Sequence, residues 1–174
     1  MEVLMTSVDR GVPAERFKAI AGSLPTGVTV VTTLDAAGEP MGMTSGAVCG
    51  LSCEPPLLLV CISRDSRTLK AILERGAFCV NVLDADAAWV SDRFASPAPD
   101  RFAGVTWVPG PHGVPVLTDT SVAYATCECH DAVDGGDHVI LIGLIVAGDH
   151  QPQTNPLLYH RRRYAGFPSE RHAH

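Results

Sequence analysis

The sequence predicts a mostly β protein with a few short helices, folded as one antiparallel barrel domain. Short apolar runs bounded by glycine and proline recur along the chain, as in all-β folds. The length of 174 residues fits one domain, and a hydrophobic fraction of 46% is enough for a core. We therefore expect a single domain over 1–174, with its core at about 14–166 and loose tails on either side.

In the first half of the chain, helical and strand patterns alternate with turn residues. A helix should begin at Pro13, because proline fits the first helical position, and Phe17, Ile20, Ala21 and Leu24 should share one face of it. The elements predicted after it are a strand over 28–34, a turn over 36–39, a returning strand over 40–52, a buried strand over 57–62 and a helix that begins at 66 and ends at 76.

The second half is predicted to contain mainly strands. Its expected elements are a strand over 77–83, a helix over 86–94, a mobile loop over 96–100, a short strand over 105–108, a turn over 110–113, and final strands over 116–117, 122–130 and 138–147. Gly135 and Gly136 should form the hairpin turn between the last two strands. The run from Val139 to Val146 is apolar except at Gly143, so both its faces should be covered, the outer one by a helix or a second subunit.

Small residues dominate the end of the returning strand. They are Thr44, Ser45, Gly46, Ala47, Cys49, Gly50 and Ser52. A strand normally favours β-branched and aromatic residues, so the missing side chains leave space for something else. That space suits either a flat ring lying against the backbone or close packing of another chain segment. Pro55 and Pro56 then end the strand, because proline cannot donate to the ladder.

The turn over 63–68 combines hydroxyl groups, two arginines and the start of a helix. Ser66 is a favourable N-cap, and Leu69, Ile72 and Leu73 have helical spacing. Free helix N–H groups beside arginine side chains can bind an anion such as phosphate. An ordinary capped helix with a solvated arginine pair has the same sequence, so the six residues alone leave both interpretations open.

Asp137 and His138 form the most distinctive polar pair. They follow a glycine turn, which should place the imidazole on the rim of the barrel. Such a histidine can contact a ligand, or it can be a turn residue with its ring in water.

Two further clusters favour structural interpretations. Cys127 and Cys129 face the same side of a strand, but with His130 they lack the spacing and the fourth ligand of a zinc site, so we predict buried thiols and no metal. The arginines of 161–163 are either a solvated run or a contact to cofactor phosphate across a dimer interface.

Composition excludes some classes of function. A net charge of −6 disfavours a nucleic-acid surface. Neither a leader pattern nor an apolar run of membrane-spanning length is visible, and six cysteines in apolar contexts suit reduced thiols, so the prediction is a cytoplasmic protein that is not bound to a membrane. No G-x-G-x-x-G follows a strand, so a nicotinamide would not bind a Rossmann unit.

Several of these segments, taken in order, resemble the flavin reductase family. The matching segments are PTGVTVVT at 25–32, GMT at 42–44, S-x-x-P-P at 52–56, S-x-x-S-x-T at 63–68, FCVNVL at 78–83, FAGVTW at 102–107, GDH at 136–138 and PLLY at 156–159. The resemblance extends over about 14–166. In one place it fails: the family often has Asn-Ser-Phe and Thr-Ser where this chain has 46–48 and 49–50, which implies that backbone groups hold the ring here.

The resemblance implies an FMN-binding type of antiparallel split β-barrel that forms a homodimer with flavin at the interface. It implies an NAD(P)H:flavin oxidoreductase that uses FMN or FAD with NADH or NADPH, and that supplies reduced flavin to a separate flavin-dependent monooxygenase. His138, near the nicotinamide, is the candidate catalytic residue. The implied cofactor-binding residues are Pro25, Thr26, Met43, Thr44, Ser45, Cys49, Gly50, Leu51, Ser63, Arg64, Ser66, Arg67, Thr68, Phe102, Gly136, Asp137 and His138.

Two other functions fit a related split barrel. One is a flavin-binding protein without nicotinamide-dependent turnover. The other is oxidation of a pyridoxamine-type substrate, which ranks lowest because the sequence lacks the basic phosphate cluster that such a substrate requires.

Overall fold

A computed structural model describes residues 11–167, so the predicted loose tails fall largely outside the described residues. Three α-helices, one short 3-10 helix and twelve strands occur in this range. The elements are α1 Ala14–Ala21, β1 Thr26–Gly27, β2 Thr29–Leu34, β3 Pro40–Ser45, β4 Val48–Cys53, β5 Pro56–Ser63, α2 Arg67–Arg75, β6 Ala77–Leu83, α3 Ala88–Ala95, β7 Val108–Pro109, the 3-10 turn Pro111–Gly113, β8 Pro115–Val116, β9 Ser121–Gly135, β10 His138–His150, β11 Leu157–His160 and β12 Arg163–Gly166.

The main sheet has seven antiparallel strands in the order β3-β2-β6-β9-β10-β5-β4. Its two edge strands, β3 and β4, follow each other in the chain and are separated only by Gly46 and Ala47. The sheet therefore curls until its two edges lie next to each other. Directly before β4, the backbone N–H of Cys61 on β5 donates to the carbonyl of Ala47 at 2.9 Å, which extends the β4–β5 ladder into this connection. This is the predicted split barrel. The single returning strand predicted over 40–52 is wrong, because the chain passes from one edge of the sheet to the other at this point.

The barrel core follows the alternation of strand residues. In β5, Leu58, Val60 and Ile62 point inward and are almost fully buried. Helix α2 covers one end of this core with Leu69 and Ile72, which are 4% and 0% exposed.

The predicted signals at the two ends of α2 are both present. Ser66 is the N-cap, and Gly76 follows the helix in the left-handed region at φ 74°. Leu73, expected on the buried face, is 50% exposed and is therefore a correction to the predicted packing.

The strand β10 is buried on one face only within the single chain. Leu141 is buried in the barrel, whereas the side chains between the inward positions are half-buried. The chain itself thus leaves the outer face partly open, and its cover by a second subunit stays a prediction. The outward residues pair in register with those of β5, Ile140 with Cys61, Ile142 with Leu59 and Leu144 with Leu57. We call these six residues the outer apolar face: Leu57, Leu59, Cys61, Ile140, Ile142 and Leu144.

A three-stranded sheet of order β1-β11-β12 lies apart from the seven-stranded sheet. The prediction missed β11 and β12, because these four-residue strands are too short to show a period. Arg161 and Arg162 form the turn between them with positive φ values of 48° and 63°. The strand predicted over 105–108 contracts to Val108–Pro109.

Helix α1 has the predicted position, but none of its residues is buried. Phe17 and Ile20 on its apolar side are 62% and 57% exposed, and Leu24 beyond its end is 65% exposed. The predicted helix is therefore present, and its shared apolar face is exposed in the single chain. In the part of the chain that the structure describes, no helix combines the length and the apolar character needed to cross a membrane.

Candidate functional site

A cleft of about 430 Å³ opens between strand β3, the start of α2 and the loop that follows α3. Met41 and Gly42 of β3 lie on one side, and the segment 66–68 lies at the helix start. Arg101 and Phe102 of the loop complete the opposite wall. The turn predicted to bind phosphate thus faces a cavity rather than open surface.

The start of α2 is an anion-binding arrangement. The Ser66 hydroxyl oxygen accepts the backbone N–H of Leu69 at 3.4 Å, and the hydroxyl group lies 3.3 Å from the sulfur of Met43. The backbone N–H groups of Arg67 and Thr68 have no partner within the helix, since the first helical turn leaves its donors free. These donors and the positive end of the helix dipole favour a negatively charged group in the cleft.

Arg101 adds a second cation to this cleft and was not predicted. One of its guanidinium N–H groups donates to the carbonyl of Gly42 at 2.9 Å. Its Nε is buried and has no hydrogen-bond partner within residues 11–167. The sequence signal was weak, because a single arginine after a proline-rich loop does not indicate which strand that loop will contact.

Carboxylates also line the cleft and limit its positive charge. Asp35, Glu39, Asp65 and Asp100 line the cavity together with the two arginines. The carboxylate of Asp100 accepts the backbone N–H groups of Phe102 and Ala103, both at 3.0 Å, and so holds the loop that carries Arg101. The lining of the cleft therefore holds four carboxylates against two guanidinium groups.

The hairpin that carries His138 lies beside the same turn. His138 is in register with Ser63, so the β9–β10 turn and the β5–α2 turn are neighbours. The ring N–H at Nδ1 of His138 donates to the Asp137 carboxylate at 2.7 Å, which leaves Nε2 as the ring nitrogen available to a ligand. This hydrogen bond and the charge of the imidazole lower the pKa of Asp137, whose carboxylate is fully exposed.

Arg64 points toward this hairpin and not into the cleft. Its Nε donates to the carbonyl of Gly136 at 2.7 Å, and its guanidinium pairs with the carboxylate of Asp134. Of the two arginines in the predicted phosphate turn, therefore, only Arg67 lines the cavity.

A second cavity, of about 230 Å³, lies next to the start of β1 and contains further predicted residues. Thr26 and Thr44 line it, together with Gly46. The hydroxyl of Thr44 donates to the carbonyl of Ser91 at 2.6 Å, so this side chain is held against α3. Pro25 directly precedes the strand that carries Thr26.

Tyr164 and Ser91 also line this second cavity, and the sequence analysis did not identify them. The Tyr164 hydroxyl donates to the Asp92 carboxylate at 2.8 Å and lies 2.9 Å from the hydroxyl of Ser91. Burial raises the pKa of Tyr164, and the neighbouring Asp92 raises it further against the opposing hydrogen bond with Ser91.

Edge strand β4 presents Cys49, Gly50 and Leu51 to the outside. Leu51 is 46% exposed, and a Cβ added to Gly50 would meet no atom within 4 Å. The flat, open backbone here is compatible with a planar ligand, whereas the Ser45 side chain is already used, since its hydroxyl accepts the backbone N–H of Ala47 at 3.2 Å. Phe102 belongs mainly to the core and contacts Phe94 edge-on at a ring separation of 4.9 Å.

The cysteines near His130 are buried thiols. Burial raises the pKa of Cys127 to about 12 and that of Cys129 to about 11, so both remain protonated at neutral pH. The sulfur of Cys129 lies 3.8 Å from the carbonyl of Ile72, in a packing position beneath α2.

Comparison with known proteins places the whole arrangement in one family. The sequence matches the flavin reductase like domain over residues 21–168. A flavin reductase (NADH) of Kitasatospora aureofaciens is 55% identical over 161 residues, which cover 91% of this chain and 84% of that protein. The reductase subunit HsaB of a flavin-dependent monooxygenase from Rhodococcus jostii is 39% identical over 156 residues, which cover 90% of this chain and 79% of that protein.

Solved structures agree with the sequence matches. Nitrilotriacetate monooxygenase component B from Mycobacterium thermoresistibile superposes with a TM-score of 0.86 at 38% identity, over 92% of this chain and 90% of that chain. The NADH:FAD oxidoreductase SgcE6 of Streptomyces globisporus, in complex with NAD and FAD fragments, gives 0.84 at 31% identity, over 97% of this chain and 99% of that chain. The predicted split-barrel fold is confirmed, and the chain belongs to the flavin reductase family.

Proposed function

We propose that this protein transfers hydride from a reduced nicotinamide to FMN or FAD and supplies the reduced flavin to a separate monooxygenase. The predicted enzyme class and cofactor classes are confirmed by relatives that are flavin reductases and by related structures with nicotinamide and flavin ligands. The structural observation that carries the proposal is the cleft in which the start of α2, Arg67 and Arg101 converge.

The residues present fit a flavin. Arg67, Arg101 and the free N–H groups of α2 would hold its phosphate, since charge-assisted bonds to arginine are among the strongest that proteins make. The buried, unpaired Nε of Arg101 is a donor that such an anion would satisfy. Backbone at Gly50 and the small residues near it would lie against the ring. When bound, the flavin supplies the N5 atom that accepts the hydride.

The contribution of the protein to this reaction is alignment. Hydride passes between two cofactor atoms, so no side chain has to carry it. We infer that His138 contacts the nicotinamide through Nε2, because Asp137 occupies Nδ1.

The activity itself has a direct test. Purified protein mixed with NADH and free flavin should consume NADH, followed as loss of absorbance at the nicotinamide band. Flavin binding without NADH consumption would indicate instead a split-barrel flavin-binding protein that lacks reductase activity. Rates measured with both flavins and both nicotinamides would define the preferred pair.

Replacing His138 with alanine should raise the Michaelis constant for NADH much more than that for flavin. The maximal rate should fall less, because ring stacking also aligns the two cofactors and no proton has to be transferred by the side chain. Steady-state kinetics with each substrate varied in turn measures both constants.

His130, on strand β9 outside the candidate site, is the matched control, and His130→Ala should leave both constants unchanged. A general-acid role for His138 predicts a different result, a large loss of maximal rate that follows one ionisation across pH. Wild-type constants in His138→Ala would contradict any contact with the nicotinamide.

We further propose that two copies pair through the outer apolar face. Its six residues are only half-buried in one chain, and they form neighbouring pairs on two adjacent strands. A contiguous apolar surface exposed to water favours association, so we infer that a second copy of this chain covers the outer apolar face. Pairing through this face supports a flavin site at the interface, because β4, the edge strand with Gly50, adjoins β5.

The pairing should appear as a dimer in sedimentation at micromolar concentration. Ile142→Glu puts a charge at the centre of the outer apolar face and should shift the protein to monomers. Leu73→Glu is the control, because Leu73 is an apolar side chain that is even more exposed, at 50%, and lies on α2, away from that face. A wild-type protein that sediments as a monomer would contradict both the pairing and an interfacial flavin site.

The reductase-subunit relatives support a flavin-dependent monooxygenase as the recipient of the reduced flavin. We also infer a cytoplasmic location, which all six cysteines support, since each is a free thiol.

A further inference from the structure

We propose that Arg64 and Asp134 form a clamp that positions the His138 hairpin for the nicotinamide. Arg64 is then a positioning residue and not a phosphate ligand, although it lies within the phosphate-binding motif. The inference rests on the proposed function, because it assigns the clamp to the nicotinamide side of the reaction.

The clamp has three separate contacts from one residue. The backbone N–H of Arg64 donates to the carbonyl of Asp137 at 3.1 Å. Its Nε donates to the carbonyl of Gly136 at 2.7 Å, and its guanidinium pairs with the Asp134 carboxylate. The contacts therefore hold both residues of the turn that precedes His138 and one residue of β9, and they connect them to the residue that follows β5.

The hairpin tip needs such a support because little else holds it. Residues 130–138 of the hairpin are all exposed, and Gly136 at φ 78° gives the turn a backbone that imposes no side-chain packing. The hydrogen bond from the His138 ring goes to Asp137, which belongs to the same hairpin turn and cannot by itself fix the ring relative to the barrel. Arg64 is the described side chain that connects the tip to another element.

The exposure of the pair indicates that its role is geometric. The Arg64 and Asp134 side chains are 44% and 81% exposed, and exposed ion pairs contribute little to folding. The planar guanidinium can bond the carbonyl and the carboxylate at once, which fixes direction as well as distance. A lysine would retain the charge but not this double contact.

The position of Arg64 also links the two halves of the reaction site. Ser66 and Arg67, two and three residues further on, line the flavin cleft, while Arg64 holds the nicotinamide hairpin. Movement of the turn on flavin binding would then be transmitted to His138 through one residue.

The test uses full-length Arg64→Ala, Arg64→Lys and Asp134→Asn, each alone and combined with His138→Ala. Arg64→Ala should raise the Michaelis constant for NADH about fivefold, the effect of one or two lost hydrogen bonds, and should leave the flavin dissociation constant within about twofold of wild type. Arg64→Lys and Asp134→Asn should each show a smaller rise. Adding His138→Ala to Arg64→Ala should cause no further loss beyond that of His138→Ala alone.

Hydrogen–deuterium exchange of the peptide covering 131–140 measures the clamp without catalysis. Exchange there should be faster in Arg64→Ala and Asp134→Asn. Arg75→Ala is the matched control, since Arg75 also donates to a turn carbonyl, that of His112, on a different turn, and it should change neither exchange at 131–140 nor kinetics.

Three results would overturn the proposal. Unchanged exchange in Arg64→Ala would show that the contacts do not hold the hairpin. A flavin affinity lowered as far as in a Ser66/Arg67 variant would make Arg64 a phosphate ligand. If the free-energy effects of the two substitutions on the Michaelis constant for NADH add in the Arg64/His138 double variant, the two residues act independently. The proposed role of His138 is tested separately: wild-type kinetics of His138→Ala alone would contradict that role and not the Arg64 clamp.

Discussion

Replacing Gly143 with valine should lower the free energy of unfolding by about 3 kcal/mol, near the upper range for overpacking a core. Gly143 is buried in the middle of β10, under the ring of Phe78. A Cβ at this position would lie 2.5 Å from Cζ of Phe78 and 2.8 Å from Cβ of Cys127. Phe78 is itself completely buried, so it cannot move aside into solvent. Urea denaturation followed by circular dichroism measures the change.

Gly27→Ala is the matched control for this experiment. Gly27 also lies in a strand, but an added Cβ there would meet no atom within 4 Å, so stability should be nearly unchanged. Equal stability of Gly143→Val and wild type would mean that the β6 and β9 side chains can repack, contrary to a close-packed barrel.

Alanine at both Ser66 and Arg67 should weaken flavin binding by about 1–3 kcal/mol, the contribution of hydrogen bonds to a charged group. The double change removes the capping hydroxyl that orders the start of α2 and the arginine that lines the cleft. Flavin titration followed by fluorescence quenching gives the dissociation constant. Higher salt should reduce the difference from wild type, because the lost interaction is partly electrostatic.

Lys70→Ala serves as the control for charge alone. Lys70 is on the same helix, 80% exposed, and pairs with Glu74 at 3.9 Å outside the cleft. Its removal changes the net charge as Arg67→Ala does, yet flavin affinity should stay at the wild-type value. Unchanged affinity in the Ser66/Arg67 variant would place the flavin phosphate elsewhere.

Local signals in the sequence predicted the elements that depend on local chemistry. The apolar run of β6 was predicted with its bounds at Ala77 and Leu83, and the capping serine and the terminal glycine of α2 were both identified. The hairpin turn at Gly136 followed from its glycine pair. These features need only neighbouring residues, so a single sequence contains them.

Features set by distant contacts were not predictable in this way. The predicted strand is interrupted between β3 and β4 at Gly46. A Cβ at Gly46 would lie 2.7 Å from the Thr26 hydroxyl oxygen, and no local sequence pattern reveals this contact. Arg101 joins the cleft through the carbonyl of Gly42 on another strand. Arg64 was grouped with the phosphate turn by its neighbours, and only the register of β5 with β10 shows that it faces the hairpin.

The order of strands in the barrel also affects how fast the chain folds. Val31 pairs with Val80, Val80 with Ala125, and Ile140 with Cys61, so three of the six strand pairings in the main sheet join residues far apart in sequence. Topologies of high contact order fold in about milliseconds to seconds, because long loops must close before their pairings stabilise them. During that time the apolar strands β5 and β10 are not yet covered by a completed barrel. We therefore expect lower growth temperature and slower synthesis to raise the yield of native protein without any change in its final stability.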